Sequence, residues 1–259
     1  MPSLFDLSGK VAVITGSSKG IGRAIAERMA EHGAKVVISS RKAEACEKVA
    51  AEIRAKGGEA FVHACNVSRK EELKALVDAT LAKWGRIDIL VCNAAANPYY
   101  GPLAKIPDDA MEKTLNANVK GVVWLANLVL PQMAERCDGV VLIISSVGGF
   151  VGSDVLGFYN MSKAAEQSLA RSLAYEWGAS NIRVNCIAPG LIRTDFSRVL
   201  WEAPQIEAKR SATAALKRIG EPDEIAGTAV YLASKAGAFV TGQTILVDGG
   251  RLIGVLPPD

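Results

Sequence analysis

Tyr159 and Lys163 stand four residues apart in the run Tyr159-Asn160-Met161-Ser162-Lys163, with Ser146 thirteen residues upstream of the tyrosine. On a helix an i,i+4 pair lies one turn apart on the same face, so an ammonium can sit beside a phenol. A neighbouring cation favours the phenolate and lowers a tyrosine's pKa from its reference near ~10. Such a phenol can donate or accept a proton near neutral pH. The pattern alone is weak, because most Tyr-x-x-x-Lys pairs are ordinary exposed neighbours on a helix. The elements that would position the pair decide its meaning.

Near the start, Lys10-Val11-Ala12-Val13-Ile14-Thr15 is an apolar, β-branched run, as expected of a strand buried on both faces of a parallel sheet. It leads into Gly16-Ser17-Ser18-Lys19-Gly20-Ile21-Gly22 and then an amphipathic helical stretch from Arg23 to Ala30. Strand, glycine turn and helix in that order aim backbone amides and a helix N-terminus at one point, where a pyrophosphate can bind. Glycine permits both the tight turn and the ligand's close approach. The spacing is Gly-x-x-x-Gly-x-Gly, not the commoner Gly-x-Gly-x-x-Gly. A second strand, Lys35 to Ser39, runs into Ser40-Arg41-Lys42. A site for NAD usually has a carboxylate there, about twenty residues beyond the glycines, to bind the ribose 2′-hydroxyl. Here no acid follows until Glu44. Arg41 and Lys19 can instead reach a 2′-phosphate, the guanidinium as a bidentate fork, and Ser39 or Ser40 can add a hydroxyl donor. The expected cofactor is NADP(H).

With Thr15-Gly16-x-x-x-Gly20-x-Gly22, Asn93-Ala94-Ala95, Asn118, Ser146, Tyr159, Lys163 and Pro189-Gly190 in this order, the chain resembles the short-chain dehydrogenase/reductase family. The resemblance runs from about Leu7 to Gly250. The stretches Val37 to Lys42, Asn93 to Pro98 and Asn181 to Ile192 look most like the NADPH-dependent carbonyl and retinal reductases, as do Phe196-Ser197-Arg198 and Leu200-Trp201. The resemblance implies that Tyr159 is the general acid for carbonyl reduction and the base for alcohol oxidation. Ser146 would hold the carbonyl oxygen where negative charge develops. Ser145 is the rival serine, and the spacing to Tyr159 favours Ser146. Lys163 would lower the Tyr159 pKa and bind nicotinamide-ribose hydroxyls, and Asn118 would hold a water in a proton relay to that lysine.

The same resemblance implies cofactor contacts from Gly16, Ser18, Lys19, Gly20, Ile21 and Gly22 in the turn, and from Ser40 and Arg41 after the second strand. Further contacts would come from Asn66 and Val67, from Asn93, from Tyr159 and Lys163, and from Pro189, Gly190, Ile192 and Thr194. Thr194 would contact the nicotinamide amide or the phosphates. Two positions depart from the family pattern. Asn66 stands where many relatives carry aspartate, and its side-chain carbonyl can still accept from the adenine amino group. Cys92-Asn93-Ala94-Ala95 replaces Asn-Asn-Ala-Gly; Asn93 keeps the polar group expected to tie the central strands together, whereas Ala95 lacks glycine's freedom.

A chain of 259 residues with 49% hydrophobic content can bury a substantial core. Short apolar runs alternating with helical stretches argue for one α/β domain, residues 1–259: a doubly wound Rossmann fold with a seven-stranded, mainly parallel sheet and helices on both faces. Strands are expected near 10–15, 35–39, 59–64, 87–92, 139–145, 182–187 and 243–248, with the longest helices near 119–136 and 158–178. The tail 256–259 is expected to fray. A net charge of +3, with cations dispersed among acids, argues against nucleic acid or membrane partners. No 18-residue apolar run or signal-peptide pattern is present. The five cysteines lack metal-ligand spacing, three fall in apparent strands, and reduced buried thiols in a cytoplasmic setting are expected. No metal is expected, and His32 and His63 are isolated.

The stretch 191–217 is the least regular, and in relatives it is a lid over substrate. Candidate substrate contacts are Leu191, Phe196 and Trp201 there, Tyr99 in the loop after the fourth strand, and Phe150 and Leu156 near the serine and tyrosine. The alternative is that these aromatics pack the lid against the domain or a neighbouring subunit. The leading reading is an NADPH-dependent oxidoreductase interconverting a small-molecule ketone or aldehyde and its alcohol. Two others compete. A 3-oxoacyl-[acyl-carrier-protein] reductase would need a basic docking surface, for which Arg193, Arg198, Lys209 and Arg210 are candidates. A non-catalytic nucleotide-binding sensor or scaffold would need no proton donor. A homotetramer is implied by the resemblance alone.

Overall fold

Seven short apolar runs become strands: β1 (Val11–Thr15), β2 (Lys35–Ser39), β3 (Ala60–Val62), β4 (Ile89–Cys92), β5 (Gly139–Ile144), β6 (Ile182–Pro189) and β7 (Thr244–Val247). They form one sheet in the order β3-β2-β1-β4-β5-β6-β7, and all six adjacent pairings are parallel. The structure is a computed structural model that describes residues 3–254; the tail 256–259 lies outside the described residues. Every strand lies within two residues of its expected bounds. The sheet is wholly parallel among the described residues.

Alternate side chains of each strand feed two separate cores, as the period of two dictates. Ala12, Ile14, Val36, Ile38, Leu142 and Ile144 pack with helices α1 (Gly20–Glu31), α2 (Ala43–Ala55) and, further along the chain, the helix Pro222–Ala233. Val13, Val37, Leu90, Val141, Ile143 and Val184 face α3 (Lys70–Trp84), α5 (Gly121–Ala134) and α6 (Gly157–Trp177) on the other side. Between α3 and α5 runs α4 (Asp108–Leu115), which continues into α5 through one π-helical turn, Asn116–Lys120. The remaining helices are α7 (Pro204–Ala212) and α8 (Pro222–Ala233). The doubly wound order reverses between β1 and β4. That reversal opens a crevice beyond the strands' carboxyl ends, the place where such sheets bind ligands.

Cys92 and Cys186 lie in strands, whereas Cys65 falls just past the end of β3 and is buried nonetheless. Cys46 is buried under α2 and Cys137 is exposed; all five thiols are free. Among the described residues no helix is long and apolar enough to cross a membrane, and no group of side chains could hold a metal ion.

Candidate active site

The glycine turn connects β1 to α1 with Gly16 at φ +68° and Gly20 at φ +57°, left-handed conformations that suit glycine. No side chain caps the α1 N-terminus, so its first-turn N–H groups are left for an anion, which the helix dipole also favours. The turn is braced from β4. The Asn93 amide nitrogen donates to the carbonyls of Thr15 (2.9 Å) and Gly16 (3.2 Å), and the Thr15 hydroxyl accepts from the Asn93 backbone N–H (3.0 Å). Asn93 thus ties the central strands together. Ser18 and Ile21 are half-buried beside the turn. This cradle fits a dinucleotide pyrophosphate. Gly22 is its tightest point: a methyl there would lie 2.6 Å from the Gly16 carbonyl oxygen and closer still to the Asn93 amide nitrogen. Gly22→Ala is therefore expected to cost about 1–3 kcal/mol by overpacking and to weaken nucleotide binding as well. Thermal denaturation and a nucleotide titration check both.

At the end of β2, Arg41 is exposed and makes no hydrogen bond or ion pair among the described residues. Lys19 is differently placed, because its ammonium pairs with Asp195 at 3.2 Å. Ser39 is buried, its N–H donating to the Ser17 hydroxyl (2.9 Å), while half-buried Ser40 sits beside the Cys46 thiol. Of the two serines, Ser40 is the one near the opening. The Asn66 side-chain oxygen accepts from the Ser68 N–H (3.1 Å) and so is partly engaged within its own loop. The Val67 carbonyl packs at Gly121, where α5 begins.

The proton-transfer candidates converge on α6. Ser146 follows β5 and its hydroxyl accepts from the Gly148 N–H (3.0 Å), capping a short 3-10 turn, Val147–Phe150, that packs on α6. Its rival Ser145 is buried and donates to the Lys163 carbonyl (2.9 Å), so it serves the helix and not the crevice. Tyr159 is half-buried. Burial raises its pKa, Lys163 lowers it, Glu166 raises it again, and the Ser146 hydroxyl lowers it; the net direction is upward from ~10. The expectation that Lys163 brings the phenol below its usual range is thus corrected, because removal from water outweighs the cation.

Lys163 is 2% exposed, with its nitrogen 5.6 Å from the Tyr159 ring centre. Asn118 sits in the π-helical turn, fully buried. Its amide donates to the Ala96 carbonyl (3.0 Å) and the Ser162 hydroxyl (3.0 Å), and its oxygen accepts from the Ala96 N–H (2.8 Å). π-helical turns are frequent at functional sites.

Three positioning residues escape a reading of the sequence. The Gln167 amide donates to the Ser146 carbonyl (3.2 Å) and the Ser145 hydroxyl (3.3 Å), and the Asn160 amide donates to the Val151 carbonyl (3.0 Å), pinning the serine turn to α6. Glu166, 2% exposed, lies within 2.8 Å of the Lys163 ammonium. Its place three residues after Lys163 on the helix face was a visible signal; its burial was not.

Pro189 ends β6, the Gly190 N–H donates to the Val247 carbonyl (2.9 Å), and Ile192 is buried and bridged to Gly220. Thr194 then returns to the glycine turn: a methyl at Gly20 would meet its side chain at 3.2 Å. With the Lys19–Asp195 pair, this ties the segment after β6 to the turn. Phe196 is 55% exposed and lies 6.3 Å from Tyr159, ring centre to ring centre. The half-buried Trp201 is tied back within its own segment. Its indole N–H donates to the Thr194 carbonyl (3.2 Å) and the Ser197 hydroxyl (3.1 Å), and Arg193 stacks on its ring at 4.9 Å. Tyr99 and Leu156 line a narrow cleft with Tyr159, Phe150 stays half-exposed outside it, and Leu191 borders a separate hollow beside β7.

A family model described as enoyl-(acyl carrier protein) reductase matches residues 16–251. Dehydrogenase/reductase SDR family member 4 of Bos taurus is 43% identical over 246 residues, 95% of this chain and 88% of that protein; its Homo sapiens counterpart is 41% identical over 244 residues, 94% and 88%. Among solved structures, a 7α-hydroxysteroid dehydrogenase complexed with NADH and 7-oxo glycochenodeoxycholic acid superposes with TM-score 0.92 at 38% identity, covering 98% of this chain and 97% of that one. A gluconate 5-dehydrogenase from Burkholderia cenocepacia in complex with NADP and tartrate gives 0.93 at 33%, covering 97% and 98%. The chain belongs to the short-chain dehydrogenase/reductase family and is an oxidoreductase that interconverts a carbonyl and an alcohol.

Proposed function

We propose that this protein is an NADPH-dependent reductase of ketones or aldehydes, reversible as an alcohol dehydrogenase. The observation that carries the cofactor choice is Arg41: an exposed guanidinium just after β2, without a partner among the described residues, where no carboxylate stands. A 2′-phosphate would accept its paired N–H groups. A nicotinamide, when bound, supplies the hydride to the carbonyl carbon. The chain's own part is the proton. Tyr159 donates its hydroxyl proton to the carbonyl oxygen, Ser146 holds that oxygen with a hydrogen bond, and the phenol is restored from the buried side through Lys163 and Asn118.

Tyr99 and Leu156 line a narrow cleft with Tyr159, and Phe196 lies 6.3 Å from Tyr159, ring centre to ring centre, so a carbonyl that meets the phenol would have aromatic and aliphatic side chains beside it. A carrier-protein substrate is less well supported: Arg193 is held by Glu207 (2.5 Å) and Glu221 (3.1 Å), and Arg198 by Asp195 (2.6 Å), so neither offers a free basic surface. A single domain with a lid over 191–217 accords with the one sheet and the tethered segment above it. Almost fully exposed Tyr175 on α6 and Phe239 just before β7 favour assembly of several subunits, a homotetramer by family analogy. The buried, unpaired thiols suit a reducing compartment such as the cytoplasm.

The test is a screen of ketones, aldehydes and acyl thioesters with purified protein, following NADPH and NADH consumption separately. Faster turnover with NADH, or with thioesters over simple carbonyls, would refute the reading. Lys163→Ala is expected to impair both turnover and NADPH affinity, since the ammonium is assigned both tasks. An unchanged NADPH dissociation constant would remove its ribose-binding role even if turnover fell.

A further inference from the structure

The Lys163 ammonium has three N–H donors, and at least two of them are already taken. One goes to the Ile144 carbonyl at 3.0 Å, and at least one more to the Glu166 carboxylate, whose two oxygens lie at 2.8 and 3.0 Å. Both side chains are 2% exposed and sit one turn apart on α6. In this arrangement at most one donor remains, too few for two ribose hydroxyls. To hold a nucleotide, the ammonium must give up at least part of its contact with Glu166.

The surroundings of Glu166 then decide how the carboxylate responds. On α6 it faces Lys163 and, further off, Tyr159. From β6 it faces the Cys186 thiol and from β4 the Cys92 thiol, with the Ser145 hydroxyl beside it at the end of β5. Burial pushes Cys186 up to about 12 and Cys92 higher still, so both are neutral at ordinary pH. Arg171 acts on Cys186 but is not among the groups that influence Glu166. Lys163 is thus the one cation acting on this carboxylate. A buried carboxylate that loses its cation is costly, and it is relieved by taking up a proton. Even with Lys163 in place, burial already holds Glu166 up at about 7, so little further change is needed.

We infer that Glu166 is a buried counterion that releases Lys163 to the cofactor and in exchange takes up one proton from solvent, coupling nucleotide binding to protonation. One carboxylate and one solvent proton become one carboxylic acid, and Lys163 remains an ammonium throughout. The inference rests on the reading that Lys163 holds the nicotinamide ribose. Glu166 acts through Lys163 and is a positioning residue. Below about pH 7 Glu166 already carries its proton and binding takes up none. Above that pH each binding event takes up as much as one proton, so NADPH affinity falls with rising pH, by at most ~tenfold per unit.

The experiment is calorimetric titration of the full-length protein with NADPH above pH 7, in two buffers of different ionisation enthalpy. The expected result is net proton uptake in the parent that disappears in Glu166→Gln, together with a flattened pH dependence of the dissociation constant. Infrared difference spectra of the parent provide a measure that needs no variant: NADPH should add a carboxylic-acid carbonyl band. NADPH binding without proton uptake and without that band overturns the inference while sparing the cofactor reading. Equal uptake in Glu166→Gln overturns it too. Failure of the parent to bind NADPH at all refutes the cofactor reading itself, and the inference with it.

Discussion

Tyr159→Phe is expected to lower turnover with the best carbonyl substrate by ~10²–10⁴-fold, the ordinary worth of general acid catalysis, and to leave NADPH affinity nearly intact. The phenol is assigned the proton, whereas nucleotide binding is assigned to the glycine turn, Arg41 and Lys163. Removing only the hydroxyl keeps the ring in contact with Phe196 and keeps α6 in place. A variant that retains more than about a tenth of the parent rate would show that another group donates the proton. The pH dependence adds a second check with a definite sign. Because burial holds the Tyr159 pKa above its usual value near ~10, the phenol keeps its proton through neutral pH. At saturating NADPH, carbonyl reduction should therefore stay level across neutrality and fall only in the alkaline range. Alcohol oxidation, which needs the phenolate, should gain as pH rises over the same interval. In the Phe variant both slopes should vanish along with the turnover. A reduction rate that declines through neutral pH would assign the proton to a group of lower pKa.

The sheet was legible in the sequence because a parallel strand buried on both faces must be apolar at nearly every position, and Val11–Thr15 and Gly139–Ile144 are such runs. The glycine turn was legible for a local reason as well, since Gly16 and Gly20 take backbone conformations that disfavour side chains. What could not be read depends on burial, which is not a local property. Glu166 three residues after Lys163 looks like any solvated i,i+3 pair until the packing of β5 and β6 on α6 closes over it. The same burial reverses the net pKa direction at Tyr159, although the sequence correctly supplied the cation. The orientation of Trp201 was illegible for a related reason. In an irregular segment an aromatic gives no hint whether it turns outward or, as here, donates its indole N–H back to Thr194 within the lid. The choice between Ser145 and Ser146 became physical only when Ser145 proved to be bonded to the α6 backbone.

Cofactor preference should reverse in the double variant Ser40→Asp with Arg41→Ile. The parent is expected to favour NADPH, because Arg41 is exposed, unpartnered and positioned where an NAD site needs an acid. Of the two cations proposed, Arg41 is the one without a partner among the described residues, since Lys19 is paired with Asp195. Removing the guanidinium deletes charge-assisted hydrogen bonds to the 2′-phosphate. Adding a carboxylate at Ser40 repels that phosphate while accepting hydrogen bonds from an unphosphorylated ribose, so loss of attraction and new repulsion act in the same direction. A change of ~100-fold in the specificity ratio corresponds to about 2.7 kcal/mol, within reach of losing two such bonds. The measurement is kcat/KM for NADPH and NADH in parent and variant at one fixed salt concentration, because the 2′-phosphate contribution is screened by ions. The single variant Lys19→Ala separates the two cations: if Lys19 serves mainly to hold the lid through Asp195, its loss should affect both cofactors alike. A parent that prefers NADH would refute the role given to Arg41, while the chemistry of Ser146, Tyr159 and Lys163 would stand independently of it.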